Sequence, residues 1–295
     1  MESPPSPADI LKRVRTMEIR TRGLVQSLFG GEYQSAFKGR GMAFSEVRAY
    51  SYGDDIRQID WNVTARTGEP FVKIFEEERE QTLMICLDVS GSSIFGSGNQ
   101  SRLELAGEVS ALLAYSAISN GDKVGLLLFG DQILKLIPPK KGKTHILRLI
   151  RELIVARPTT QGTDLAGALR YMNRVLKRRA IVTLLSDFEA PDFEKELRIT
   201  HQRHDLVALR IEDPMEIELP DLGLIPVRDP ENGESAWIDS SSRRVRHAFK
   251  QRQEEKRAFI EQLFRRSSID HVNLSTNRTW IQPLSQFFLQ RSARY

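Results

Sequence analysis

Two hydrophobic patterns alternate along most of this 295-residue chain. Continuous apolar runs cover residues 82–87, 124–129 and 180–185, which is typical of strands buried on both faces of a sheet. Between these runs, apolar residues recur every three or four positions, as they do in residues 144–156. That period belongs to a helix with one buried face. Strands and helices in this order predict an α/β fold, with a mostly parallel sheet covered by helices on both faces.

The rest of the pattern completes this order of elements. Gly130 and Asp131 form a turn, which predicts a short strand over residues 132–137 that pairs with the strand before it. Two further strands are expected at residues 205–211 and 271–275. Further helices are expected at residues 9–29, 103–119, 164–175, 193–203, 245–266 and 283–292.

Residues 39–79 do not follow either pattern. They mix aromatic, charged and turn-forming residues, which indicates short strands and turns. We therefore predict two regions: residues 1–80, with an N-terminal helix and a small β/turn extension, and residues 81–295, the α/β domain. Several Pro and Gly residues near 213–242 indicate an insertion in the second region.

Composition narrows the class of protein. Hydrophobic residues make up 40% of the chain, which is too many for a disordered protein. The single cysteine, Cys86, excludes an intrachain disulfide and a zinc site of several thiolates, and it favours a reducing compartment. No apolar run approaches the ~20 residues of a membrane-spanning helix, and residues 1–10 lack the apolar core of a signal peptide. These observations predict no membrane span and a cytoplasmic location.

Oxygen-bearing side chains gather where the predicted strands end. Asp88, Ser90 and Ser92 follow the first apolar run in a D-x-S-x-S spacing, and Asp187 follows the run at 180–185. Thr163 precedes the next predicted helix. Ligands of open α/β sheets bind beyond the carboxyl ends of the strands. Five hard oxygen donors at that edge suit Mg²⁺, with Mn²⁺ and Ca²⁺ as alternatives.

The same residues have a simpler interpretation as helix caps. Serine, threonine and aspartate are favoured at helix N-termini, where their side chains accept hydrogen bonds from free backbone N–H groups. Each of the five residues is weak evidence for a metal site when taken alone. We favour the metal site because all five occur in the right order on the right elements.

Several motifs together resemble a known family. The D-x-S-x-S motif with Thr163 and Asp187 resembles the metal-ion-dependent adhesion site of von Willebrand factor A domains. Upstream, FKGRGMAFSEVR at 37–48, YGDDIRQIDWNVTAR at 52–66, EPFVK at 69–73 and EEERE at 76–80 are similar to the bacterial domain-of-unknown-function family fifty-eight. The similarity is strongest over residues 34–187.

The resemblance implies a fold, a site and a partner. The implied fold is von Willebrand A-like, with an additional segment that leads into its first strand. Ser90, Ser92 and Thr163 are implied to coordinate the ion directly, and Asp88 and Asp187 directly or through water. The implied partner is a MoxR-type AAA+ ATPase.

We interpret the chain as a metal-dependent protein-binding module and not as an enzyme. The bound ion is expected to accept an acidic residue from a partner or client, and the chain to act as adaptor or co-chaperone of the ATPase. The alternative is a Mg²⁺-dependent hydrolase of phosphate esters, since Mg²⁺ at strand ends can activate water. The sequence shows neither a G-x-x-x-x-G-K-[ST] phosphate loop nor an evident nucleophile with its base.

Binding of nucleic acid is a further alternative. Residues 241–266 carry nine Lys and Arg against three Glu, a local charge of 9 − 3 = +6, which could contact nucleic acid or an acidic protein. The simpler interpretation is a solvated helix with an apolar face, formed by Phe249, Phe259, Ile260, Leu263 and Phe264. No nucleic-acid-binding motif accompanies the helix, and the net charge of the whole chain is only +4, so we favour the simpler interpretation.

Overall fold

The structure is a computed structural model that describes residues 7–25, 33, 36–37, 42–77, 80–97, 100–158, 162–228 and 235–294. The chain divides into two compact units. One comprises Met1–Phe37 and Thr82–Tyr295, and the other comprises Lys38–Gln81. The N-terminal helix thus belongs to the α/β unit, whereas we grouped it with the extension in residues 1–80.

A six-stranded sheet forms the centre of the larger unit. Its strands are β3 (Thr82–Asp88), β4 (Lys123–Phe129), β5 (Ile133–Lys140), β6 (Ile181–Ser186), β7 (Asp205–Glu212) and β10 (Asp270–Ser275). The strand order is β10-β7-β6-β3-β4-β5. Only β5, at one edge, runs antiparallel to its neighbour in this sheet. The predicted mostly parallel α/β sheet is confirmed, as is the antiparallel pairing of β5 with β4.

Helices cover both faces of this sheet. The helices of the unit are α1 (Pro7–Leu24), α3 (Arg102–Ser119), α4 (Lys143–Val155), α5 (Leu165–Val175), α6 (Glu194–Arg203), α7 (Pro214–Ile217), α8 (Arg243–Arg266) and α9 (Ile281–Ser292). One apolar layer joins α1, α3, α4 and α9 to the sheet. A second layer joins α5, α6 and α8 to the opposite face.

The alternation of side chains along β3 shows how the apolar runs serve both layers. Leu83, Ile85 and Leu87 belong to the first layer, and Met84 and Cys86 belong to the second. Successive side chains of a strand point to opposite faces, so a strand between two helical layers must be apolar throughout. Burial raises the pKa of the Cys86 thiol to about 12, which makes this side chain an unreactive part of the core.

The smaller unit is a hairpin with a helix between its strands. Strands β1 (Met42–Ala49) and β2 (Phe71–Glu77) are antiparallel, and α2 (Trp61–Thr67) lies between them in the chain. Asp54 pairs with Arg48, while Asp55 and Asp60 accept hydrogen bonds from the first backbone N–H groups of short helical segments. The expected strands and turns are present. We also expected a short helix after the turn at residues 53–55, and the structure has a helical segment at Ile56–Gln58 and then α2.

The segment between β7 and α8 contains the additional elements expected near residues 213–242. These are α7 and an antiparallel hairpin of β8 (Leu224–Arg228) and β9 (Ser235–Asp239). None of the helices described here is both long and apolar enough to cross a bilayer.

Candidate metal site at the carboxyl edge of the sheet

Four of the five predicted ligands come together at the carboxyl ends of two neighbouring strands. Asp88 is the last residue of β3, and Asp187 directly follows β6, which pairs with β3. The Ser92 hydroxyl donates to Asp187 Oδ2 at 2.9 Å and lies 3.1 Å from the Ser90 hydroxyl. The Ser90 backbone N–H donates to Asp88 Oδ1 at 3.0 Å. The loop after β3 thus folds back so that hydroxyl and carboxylate oxygens form one connected group.

Thr163 lies at the same edge but outside this group. The backbone N–H of the next residue, Asp164, donates to the Gly130 carbonyl just after β4, the other neighbour of β3. The Asp164 side chain caps α5 through the Gly167 backbone N–H at 2.7 Å. Within the described part of the chain, no hydrogen bond joins Thr163 to the other four residues. Its place as a fifth ligand stays a prediction.

Burial dominates the electrostatics of Asp88. The side chain is 5% exposed, and its Oδ2 accepts a hydrogen bond from the Ser186 hydroxyl at 2.7 Å. Burial, followed by the nearby Asp187 carboxylate, raises the pKa of Asp88 to about 7, although the hydrogen bonds from Ser186 and Ser90 act to lower it. A charged carboxylate is therefore costly here without a nearby cation.

The spacing of the oxygens fits a small divalent cation. Six ligands around Mg²⁺ at ~2.1 Å place adjacent oxygens about 3 Å apart. The observed separations are 2.9 Å from Ser92 to Asp187 and 3.1 Å from Ser90 to Ser92. Asp88, Ser92 and Asp187 also line a cavity of about 20 Å³, which is enough for one water-sized occupant.

The chemistry of the donors is also appropriate. In the described residues there is no group of three or more His, Cys, Asp or Glu that could hold a metal ion. The site described here is of another kind, because it combines two carboxylates with serine hydroxyls. Such all-oxygen donors select hard cations such as Mg²⁺ over zinc.

A buried arginine, which we did not predict, forms one wall of the site. Arg102 is the first residue of α3 and is 5% exposed. Its Nη1 lies 3.0 Å from Asp187 Oδ2 and 3.0 Å from Glu216 Oε2. Its Nε donates to the Ser92 carbonyl at 3.2 Å, and Nη2 donates to the same oxygen. An arginine at a helix N-terminus opposes the helix dipole, and that unfavourable placement was the only signal in the sequence.

Glu216, on α7, is the second acidic partner of Arg102 and was also missed. Burial raises the pKa of Glu216 to about 7, with the Arg102 charge acting to lower it and the Asp187 carboxylate to raise it. Glu216 is 114 residues from Arg102 in the chain. No local pattern could have joined them.

Asp213 fixes the loops around the site. Its carboxylate accepts hydrogen bonds from the Ser97 backbone at 2.9 Å, from the Ser97 and Thr276 hydroxyls, both at 2.5 Å, and from the Met215 backbone at 3.0 Å. Burial acts to raise the pKa of Asp213, but these hydrogen bonds outweigh it and lower the pKa. The carboxylate thereby joins the loops that follow β3, β7 and β10.

Helix α8 carries the basic residues that we considered for nucleic acid. Many of them are neutralised within the chain. Ion pairs with acidic side chains involve Arg246, Lys250, Lys256, Arg257 and Arg265. Ile260, Leu263 and Phe264 are buried as expected, whereas Phe259 is 54% exposed, contrary to expectation.

Comparison with known families places this site in context. The family described as "Protein of unknown function DUF58" matches residues 46–259. The chain belongs to the DUF58 family. Uncharacterized protein Rv1480 of Mycobacterium tuberculosis and uncharacterized protein Mb1516 of Mycobacterium bovis are each 28% identical to the chain over 283 residues. Each alignment covers 94% of this chain and 88% of the relative.

This DUF58 protein is also similar to several solved structures, at low sequence identity. The SpRpn10 VWA domain is 13% identical, with 71% of this chain and 94% of that chain covered and a TM-score of 0.39. An aerotolerance-related membrane protein from Bacteroides fragilis is 16% identical, and the match covers 73% of this chain and 100% of that chain with a TM-score of 0.49. A membrane-spanning protein from Vibrio fischeri is 16% identical, and the match covers 73% of this chain and 98% of that chain with a TM-score of 0.27. The parallel sheet with one antiparallel edge strand agrees with the mostly parallel α/β sheet that the sequence predicted.

The same comparisons correct the predicted cytoplasmic location. The proteins from B. fragilis and V. fischeri are described as membrane proteins, which contradicts that prediction. Our prediction depended on the lack of a long apolar run, and such a lack does not define a compartment. We therefore do not assign this chain to the cytoplasm.

Proposed function

We propose that this chain is a metal-dependent protein-binding module. Asp88, Ser90, Ser92, Thr163 and Asp187 would hold Mg²⁺, with Mn²⁺ or Ca²⁺ as alternatives. The observation that carries the proposal is the connected group of Ser90, Ser92 and Asp187 oxygens, spaced as adjacent ligands of one small cation.

The residues of the chain have separate roles in this proposal. Ser186 and the Ser90 backbone hold the buried Asp88 carboxylate in one orientation. Asp213 holds the surrounding loops in place. When bound, the cation supplies positive charge and an open coordination position, which a partner's Asp or Glu can occupy. In this proposal the chain binds an acidic side chain of the partner through the cation, and it needs no catalytic group of its own.

We propose two kinds of partner. One is a MoxR-type AAA+ ATPase, for which the chain would act as adaptor or co-chaperone. The other is a client protein that supplies the acidic residue. Membership of the DUF58 family supports this choice through the resemblance described above. The ion pairs along α8 reduce the charge available to phosphates, so we do not extend the proposal to nucleic acid. We also favour a binding role over phosphate-ester hydrolysis, since the sequence shows no phosphate-binding loop of the G-x-x-x-x-G-K-[ST] type.

Binding to the ATPase from the same organism tests the proposal. The measurement compares the wild type with Asp88→Ala, each in Mg²⁺ and in EDTA. Asp131→Ala is the matched control, because Asp131 is an exposed carboxylate in the turn after β4. We expect binding by the wild type and by the control in Mg²⁺ only, and none by Asp88→Ala. Equal binding by wild type and Asp88→Ala in both solutions would contradict the proposal.

A further inference from the structure

The Arg102 guanidinium contacts the oxygen of Asp187 that faces the proposed ligands. Asp187 Oδ2 accepts hydrogen bonds from the Ser92 hydroxyl at 2.9 Å and lies 3.0 Å from Arg102 Nη1. The other oxygen, Oδ1, accepts from the Glu189 backbone N–H at 3.0 Å. A cation that binds Oδ2 directly would therefore compete with Arg102 for this oxygen.

Arg102 has other partners that would keep it in place when a cation binds Asp187. The same Nη1 lies 3.0 Å from Glu216 Oε2, and the Ser92 carbonyl accepts from both Nε and Nη2. Loss of the Asp187 contact would leave the buried guanidinium paired with a carboxylate. A buried charge that keeps a partner avoids most of the penalty of an unpaired one. The exchange of one contact is therefore feasible without unfolding.

The carboxyl groups around Arg102 explain why a positively charged side chain is useful at this position. Asp88, Asp187 and Glu216 bring three carboxyl groups close together. The Asp88 side chain is buried, and the side chains of Asp187 and Glu216 are 11% and 31% exposed, so like charges repel there. Arg102 supplies a positive charge in direct contact with two of them, Asp187 and Glu216. The same charge repels a divalent cation that enters the site.

We propose that Arg102 is a built-in cation that competes with the divalent ion for Asp187 and thereby sets the affinity of the site. The inference rests on the proposed function, because it assumes that the site binds a divalent cation. Arg102 keeps the carboxylates together when the ion is absent. Ion binding removes the Nη1 contact with Asp187 and leaves the contact with Glu216.

Mn²⁺ is a suitable probe, since free Mn²⁺ is measured directly by electron paramagnetic resonance. We expect Arg102→Met to bind Mn²⁺ at least tenfold more tightly than the wild type and to have a lower Tm in EDTA. Arg102→Lys keeps the positive charge and should bind within about threefold of the wild type. Glu216→Gln removes the alternative partner of Arg102, so it should bind Mn²⁺ several-fold more weakly.

Arg291→Met is the matched control. Arg291 is also a buried arginine, and it pairs with Asp205 and Asp270 at the opposite, amino-terminal edge of the sheet. This variant should lower the Tm without a change in Mn²⁺ affinity. The control therefore separates the loss of a buried ion pair from the loss of a competing charge.

The outcomes distinguish the inference from the proposed function. Tighter binding by Arg102→Met, with no change in Arg291→Met, supports the inference. Equal or weaker binding by Arg102→Met, while the wild type binds Mn²⁺, overturns the inference and leaves the proposed function intact. Absence of Mn²⁺ binding by the wild type overturns both. If Arg102→Met does not fold, an unchanged affinity of Glu216→Gln overturns the inference.

Discussion

At the scale of single residues, hydrogen bonds hold the buried Asp88 carboxylate in place. The Ser186 hydroxyl donates to it at 2.7 Å, and the Ser90 backbone donates at 3.0 Å. A hydrogen bond to a buried carboxylate is worth more than one between neutral groups. Ser186 should therefore matter to stability although it is not itself a proposed ligand.

Ser186→Ala tests this contribution. Without the hydroxyl, one Asp88 oxygen loses its donor in a buried setting, which should lower the free energy of unfolding by about 2 kcal/mol. Urea denaturation in EDTA measures the effect, so that no metal compensates for it. Ser241→Ala, in an exposed turn, is the control and should be nearly neutral. An unchanged urea midpoint for Ser186→Ala would show that Asp88 does not depend on this contact.

His204 makes stability depend on pH. Burial, followed by the Arg203 and Arg179 charges, lowers the pKa of His204 to about 4 from 6.5. The unfolded chain therefore binds a proton more readily than the folded chain between these values, and acid favours unfolding. The wild type should lose stability relative to His204→Phe as the pH falls from about 6.5 to about 4. Above pH 7 the difference should be constant.

Urea midpoints at pH 7 and pH 5 check this prediction. The comparison with the variant is needed because Asp88 and Glu216, with pKa values raised to about 7, titrate in the same interval in both proteins. If the urea midpoints of the wild type and His204→Phe differ by the same amount at both pH values, His204 is not the source of the predicted pH dependence.

Four of the proposed ligands could be expected at one edge of the sheet from the sequence, for a physical reason. Asp88 and Asp187 follow strands that are neighbours in a parallel sheet, and such strand ends must meet at one edge. Arg102 and Glu216 could not be predicted in the same way. Their contact depends on where α7 packs after the chain has passed through β7, which is not encoded in any local spacing.

At the scale of elements, Asp213 joins three loops at the carboxyl edge. Its partners, Ser97, Met215 and Thr276, follow β3, β7 and β10 respectively. Asp213→Ala should leave these donors without a buried acceptor and lower the free energy of unfolding by about 3 kcal/mol. Asp221→Ala, an exposed carboxylate of the same connecting segment, is the control. Thermal unfolding of the two variants provides the comparison, and similar Tm values for both would contradict the role of Asp213.

The elements themselves were predicted best where burial is complete. A strand between two helical layers is apolar at every position, so β3, β4 and β6 were evident from the sequence. Helices at the surface were less certain. The apolar Leu11 lies three residues before the buried Val14 in α1 but is 70% exposed, and α2 lies in a segment without helical periodicity.

At the scale of the whole molecule, the charges are distributed unevenly. Acidic side chains meet Arg102 at the carboxyl edge of the sheet, and the basic residues of α8 form ion pairs with neighbouring acidic groups. The net charge of +4 therefore does not indicate a partner. Our proposal of a partner depends instead on the group of oxygens at the sheet edge.

Titration calorimetry with Mg²⁺ tests the central claim most directly. We predict one Mg²⁺ per chain in the wild type and in Asp131→Ala. Binding should be lost in Asp88→Ala and in Ser92→Ala, because each removes a proposed ligand of the ion. A wild type that takes up no divalent cation, or variants that bind Mg²⁺ as tightly as the wild type, would contradict the claim that these residues form a metal site.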